Sequence, residues 1–236
     1  MSAEHRLSAA DAGVYGKHPA FGDFIAAGLP DGVFARLGDW LQAVLGEWRA
    51  QAGADWQAEF DAAPVLAFWI GGALSGGGLP LRGVWTASRD RAGRRFPLLV
   101  LQAGGAAPVA DPAQDFHLAA AGAMAALLRA EAFDPRQMAQ RLHGDLPAPA
   151  DLAQPDWPTF WARNAALGAS DLLAQLAQTD HAHAAAGRSY WWFAAGQQGP
   201  SGLLACQGWP NASEMGWLIA GGQMGAAASA EGGAGT

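Results

Sequence analysis

The sequence predicts an α/β fold: a single-domain sandwich with a mixed, largely antiparallel central sheet flanked by helices. Three observations lead there. Helical spacing and short apolar runs follow one another as strand, helix, three strands, several helices, then one or two strands. Consecutive strands joined by short connections pair antiparallel. A chain of 236 residues with eleven tryptophans and ten phenylalanines has the bulky material for a sizeable core. No internal repeat divides it.

The elements follow in order. A short strand over 13–16 leads into the loop "GKHPAFGDF". Pro30, Asp31 and Gly32 make a turn, and a helix spans 33–50, where Phe34, Leu37, Leu41, Val44, Leu45 and Trp48 share one face. Gly38 and Gly46 weaken that helix by up to about 1 kcal/mol each. A second helix covers 56–61. "VLAFWI" (65–70) is apolar throughout and reads as a strand buried on both faces. The glycine-rich 71–81 lacks the Lys-Ser/Thr ending of a P-loop and reads as a flexible turn. Strands over 82–87 and 96–102 form a hairpin around a polar segment.

The middle is helical. An alanine-rich helix spans 115–129. Asp134, Pro135 and Gln137 supply an N-cap, a first-turn proline and a capping-box partner for a helix that ends near Gly144. A proline-rich connector covers 145–158, and shorter helices fit 159–167 and 170–178. Strands return at 189–194 and 202–206. Residues 1–222 form the domain. The Gly/Ala-rich tail 223–236 has nothing to bury and is expected to be disordered.

Composition narrows the function classes. Charged residues are only 15% and the net charge is −7, which disfavours nucleic acid and anionic membrane surfaces as partners. No apolar run reaches the length of a membrane span, and the start has no signal-peptide pattern, so a soluble protein without membrane insertion is expected. The single cysteine, Cys206, fits a reducing, cytoplasmic location. A monomer or weak dimer needing no cofactor and no metal is expected, because no metal-ligand spacing or phosphate loop is present.

The sharpest cluster is 82–97, where Arg82, Arg89, Arg91, Arg94 and Arg95 are five of fourteen basic residues. Four of them crowd one turn around Asp90. Guanidinium groups suit carboxylate or phosphate recognition. The turn reads either as a partner-binding knob or as a solvated hairpin whose Asp90 pairs with a neighbouring arginine. Asp23 in the opening loop either caps backbone amides or takes part in binding. An enzymatic reading makes Asp23, Asp90 and the Arg89–Arg95 turn a small hydrolase or ligand site. No HExxH, GxSxG or cysteine pair supports catalysis, and Cys206 reads as a buried inert thiol. "YWWF" (190–193) reads as core rather than as an exposed stacking platform.

Together the motifs resemble the TagF (ImpM) family associated with bacterial type VI secretion. The opening pattern is Gly13, Tyr15, Gly16, Lys17, Pro19, Gly22, Asp23 and Phe24. Pro30, Asp39-Trp40-Leu41, Pro64-Val65 and Phe68 follow. Then come Ser88, Asp90, Arg91, Gly93, Arg94, Phe96, Pro97 and Leu98, and later Trp191-Trp192. The resemblance covers roughly 13–218, with no matched motif in 104–180. Arg89, Ala92 and Arg95 depart from the family's usual residues and make the turn more basic. The resemblance implies an α/β sandwich, no catalysis, and cytoplasmic post-translational repression of secretion through the system's forkhead-associated scaffold protein. Ser88, Asp90, Arg91, Arg94, Lys17 and Asp23 are the candidate partner-binding residues.

Overall fold

The computed structural model describes residues 6–150, 183–194 and 200–223, and between these only positions 166, 168, 170, 171, 173 and 181. The described chain runs β1 (Ala12–Gly16), β2 (Ile25–Ala27), α1 (Asp31–Ala52), α2 (Trp56–Ala62), β3 (Leu66–Ile70), α3 (Gly72–Ser75), β4 (Leu81–Thr86), β5 (Leu98–Ala103), α4 (Asp115–Leu128), α5 (Pro135–Asp145), β6 (Arg188–Phe193), β7 (Gly202–Gln207) and, here numbered α6, Ala212–Ile219.

The strands form one sheet in the order β2-β1-β5-β4-β3-β6-β7. Each of these neighbours pairs antiparallel, so among the described residues the parallel pair allowed for by a mixed sheet does not occur. Strand alternation sorts the side chains into two covered faces. Leu99 and Leu101 of β5, Trp85 of β4, Phe68 of β3 and Trp191 of β6 face α1, α2 and α6. Val14, Val84, Leu98 and Val100 face α4 and α5 through Phe116, Met124, Leu127 and Leu142. The result is three layers, helix on sheet on helix.

The expected helical face of α1 is buried in full, from Val33 to Trp48. Gly38 has a use there: a Cβ would run into the Tyr15 hydroxyl, so the glycine lets β1 approach the helix. Trp191 is fully buried and stacks on Phe68 with ring centroids 4.9 Å apart. An aromatic ring of that kind removes about 200 Å² from water, roughly 5 kcal/mol at 25 cal/mol/Å². Tyr190, Trp191 and Phe193 of "YWWF" are thus core, as the strand pattern implied, and Trp192 is half-buried.

The structure departs from the sequence reading at several points. The glycine-rich 71–81 is ordered by hydrogen bonds rather than being a loose turn. The Gly71 amide donates to the Arg188 carbonyl (2.8 Å), and Ser75 Oγ donates to the Gly72 carbonyl (3.1 Å), closing α3. Strand β2, absent from the expected elements, has only three residues, Ile25 to Ala27, and pairs with Val14 to Gly16 at the outer edge of the sheet. Helix α6 was legible: Asn211 and Glu214 form a reciprocal capping box, with bonds of 3.0 and 2.7 Å. At α5, Asp134 accepts from the amides of Arg136 and Gln137, so Gln137 contributes its backbone to the cap. The helix expected over 159–167, most of that over 170–178, the connector beyond residue 150 and the tail 224–236 lie outside the described residues. No helix among the described residues is long and apolar enough to cross a membrane.

Candidate functional site

The connection from β4 to β5, residues 87–97, is long for a hairpin and is organised from inside by one carboxylate. A second small ladder forms where Arg89 bridges Arg95. The Asp90 amide donates to the Arg94 carbonyl (3.1 Å), and the Phe96 amide to the Ser88 carbonyl (3.1 Å). Asp90 then turns inward. Its Oδ1 accepts from the amides of Ala92 (3.0 Å) and Arg94 (2.9 Å), and Oδ2 accepts from Arg94 Nε at 2.7 Å. Lys17 Nζ reaches the same Oδ2 at 3.0 Å, and both the lysine and aspartate side chains are shielded from solvent. Burial opposes ionisation of this carboxyl. The Arg94 amide, Lys17 and the Arg94 side chain outweigh it and hold Asp90 well below the usual carboxylate range.

Lys17 comes from the other motif, and backbone geometry brings it here. Gly16 has φ of +125°, and a Cβ there would collide with the Pro97 carbonyl. That conformation lets β1 cross close over the start of β5, where the Lys17 amide donates to Pro97 O at 3.1 Å. The loop after it is tied down on both sides. Phe21 O accepts from the Arg91 amide (2.8 Å), and Gly22 O from the Arg94 guanidinium (2.6 Å). His18 is fully buried and joins the loop to the end of α4: its Nδ1 accepts from the Ala20 amide, so Nε2–H donates to Leu127 O at 2.9 Å. Burial lowers the His18 pKa, with the Leu127 bond acting the other way.

The six candidate residues therefore separate. Lys17 and Asp90 are buried and hold the two loops together. Arg94 shares that task, yet its side chain is 60% exposed. Arg91 is exposed, with its guanidinium close to Gly22. Ser88 is half-buried, and its Oγ has no hydrogen-bond partner. Asp23 is exposed and accepts from the Phe24 amide (2.8 Å); it joins no ion pair among the described residues. Arg95, one of the departures that made the turn more basic, is bound through two nitrogens to Asp61 of α2 at 2.8 and 2.6 Å. Its charge is neutralised locally, so the sequence overstated the charge of the turn's surface. Arg82 is in the core, away from the turn.

Two residues were missed. His18 fills a variable position of its motif, and no pattern marks it. Phe24 was noted only as part of the motif, although it is 41% exposed. Its ring meets Phe96 edge-on at 4.8 Å, and Lys17 Nζ lies 5.1 Å from its centroid.

Asp23 and Asp90 do not converge as an acid and base. A groove lies elsewhere, at the opposite end of β1, lined by Arg6, Asp11, Asp31, Arg136 and His143. Among the described residues no His, Cys, Asp and Glu cluster has metal-binding geometry. Burial, with Glu214 next, pushes the Cys206 thiol up to about 11, so it is protonated at neutral pH.

His117 of α4 carries the clearest pH signature. Burial drives its pKa down to about 4, against a weak 3.4 Å contact from Nε2 to Phe68 O, and Arg82 depresses it further. The unfolded chain takes up this proton near pH 6.5 and the folded one near 4, so stability should fall as pH drops across that window. The slope is on the order of 1 kcal/mol per pH unit. Urea midpoints of the wild type and His117→Phe, measured at intervals through the window, check this. An unchanged slope in the variant would show that another group titrates.

With the geometry described, the chain can be compared with known proteins. The profile of the TagF N-terminal domain, described as type VI secretion system-associated, matches residues 13–146. The chain belongs to the TagF family. That match includes both motif loops and stops at the end of α5. The crystal structure of PA0076 from Pseudomonas aeruginosa PAO1 is similar over 89% of this chain and 94% of that one, with a TM-score of 0.68 and 27% identity. Its fold agreement extends past the profile match into the strands and helix that follow α5. Among curated protein sequences no match is found. The TagF assignment makes this a type VI secretion-associated protein, and the Lys17–Asp90–Arg94 centre lies within the matched residues.

Proposed function

We propose that this TagF-family chain is a cytoplasmic, post-translational repressor of type VI secretion. It acts as a monomer or weak dimer by binding a protein, with the system's forkhead-associated scaffold as the partner. One observation carries the reading. The family's two motif segments, distant in sequence, meet in one turn that is rigid inside and basic outside, on a protein of net charge −7. Such a turn is preorganised for recognition. The alternative hydrolase or ligand-site reading is weaker: Asp90 is buried with both oxygens engaged by Lys17, Arg94 and the Ala92 amide, so it is not open to a substrate.

Raising the level of this protein in a bacterium with an active system should silence secretion of the tube protein. The cellular level of that protein and of the apparatus should not change. The scaffold should co-purify with the chain. Undiminished secretion at high expression, or no scaffold association between purified proteins, would overturn the reading.

A further inference from the structure

The turn's interior explains its rigidity but leaves its outer face without a role. On that face Phe24 is 41% exposed, a large share for a phenylalanine held at a fixed angle. It rests on Phe96 and, at 6.3 Å, on Tyr15, so its position is set from beneath. Next to it in the loop, Gly22 is flanked by two guanidinium groups. Arg94 binds its carbonyl, and Arg91 lies so close that a Cβ on Gly22 would be 3.2 Å from one of its nitrogens. Arg91 is exposed and forms no ion pair among the described residues. Of the carboxylates around the turn, Asp90 is buried beneath it, Asp61 is engaged by Arg95, and Asp23 is exposed in the same loop as Phe24. An apolar ring beside exposed guanidinium groups matches the composition of binding hot spots.

We infer that Phe24, Arg91 and Arg94 form a docking surface for an acidic polypeptide segment that carries an apolar side chain. The apolar side chain packs on the exposed part of Phe24, and the segment's carboxylates meet Arg91 and the outward face of Arg94. Charge complementarity selects this occupant. A basic segment would face two guanidinium groups, whereas an acidic one is repelled by the rest of this protein and attracted here. The inference deepens the proposed binding role but is tested without the scaffold.

The probe is a fluorescein-labelled twelve-residue peptide, rich in Glu with one central Leu, read by fluorescence anisotropy at low salt. Two control peptides replace every Glu by Gln, or Leu by Gly. The wild type should bind the acidic peptide about tenfold tighter than either control, with affinity falling as salt rises. Arg91→Glu should weaken binding by about tenfold or more, and Arg141→Glu on α5 should not. Phe24→Ala should remove the preference for Leu over Gly. Because Phe24 also packs on Phe96, Arg91→Glu, at an exposed position, keeps the test decisive if Phe24→Ala fails to fold. No preference over the Gln peptide, or equal binding by Arg91→Glu, overturns the inference. Peptide binding without scaffold binding would retain this surface and reject the scaffold as the partner. Scaffold binding that is insensitive to Arg91→Glu would retain the partner and reject the surface.

Discussion

Asp90→Ala should lower the melting midpoint by on the order of 10 °C. The substitution leaves the buried Lys17 ammonium without its anion. It also strips acceptors from the Ala92 and Arg94 amides and from Arg94 Nε. Removing one partner of a buried ion pair costs far more than the pair contributes relative to an apolar replacement. Lys17→Met combined with Asp90→Ala should therefore recover part of the loss. Asp23→Ala, at the exposed neighbouring carboxylate, should move the midpoint by no more than about 2 °C. The pH behaviour has a definite sign. The folded pKa of Asp90 is depressed, so its contribution is complete above the unfolded value of about 4. It is lost as pH falls through the folded value, and Asp90→Asn should lack that acid-side loss. Scanning calorimetry of the four variants decides the matter. An Asp90→Ala protein that melts with the wild type would mean that the turn does not depend on this carboxylate.

Arg82→Ala should cost about 2–3 kcal/mol in urea unfolding, more than a substitution on the exposed outer face of the turn. Arg82 lies on the α4 face of β4, 8% exposed, directly opposite Gln102 of β5. Its Nε and one terminal nitrogen donate to Gln102 Oε1 at 3.0 and 2.6 Å, and the same terminal nitrogen donates to Pro147 O at 2.8 Å. The guanidinium plane covers Phe116, with 3.9 Å from its carbon to the ring centroid. Burial lowers its pKa to about 10, with Asp111 acting against that, so the group is still charged at neutral pH. Truncation leaves the buried Gln102 oxygen without a donor and removes the bond to the Pro147 carbonyl at the layer's edge. Arg82→Lys should restore only part of the stability, because a lysine cannot stack a planar face while donating from two nitrogens. Arg82→Met with Gln102→Leu should be milder than Arg82→Ala alone, since both polar partners leave together. Equal stability of Arg82→Ala and wild type would show that the polar bridge is dispensable.

Local pattern carried most of the fold. The apolar stripe of α1, the continuous runs of β3 and β5 and the Asp134-Pro135 start of α5 each express their periodicity or capping chemistry within a few neighbouring residues. The antiparallel direction of the β3-β4-β5 meander follows from connection length. The Asn211-to-Glu214 spacing that caps α6 is equally local. By contrast, β2 pairs along the outer edge of β1, and 71–81 is ordered because Arg188 and Ser75 complete its hydrogen bonds.

At the site the division is sharper. By itself the sequence determined that two unusual loops exist, which family they mark, and that the second is dense in arginine. Only the tertiary structure decided what each charge does. Gly16 brings β1 over Pro97, and that crossing buries Lys17 against Asp90. Arg95 finds Asp61 on a helix far away in sequence, and among the described residues Arg91 forms no ion pair. Residue type sets what a charged side chain can bind, but its partner and its exposure depend on what long-range packing places within about 4 Å, and no local pattern encodes that.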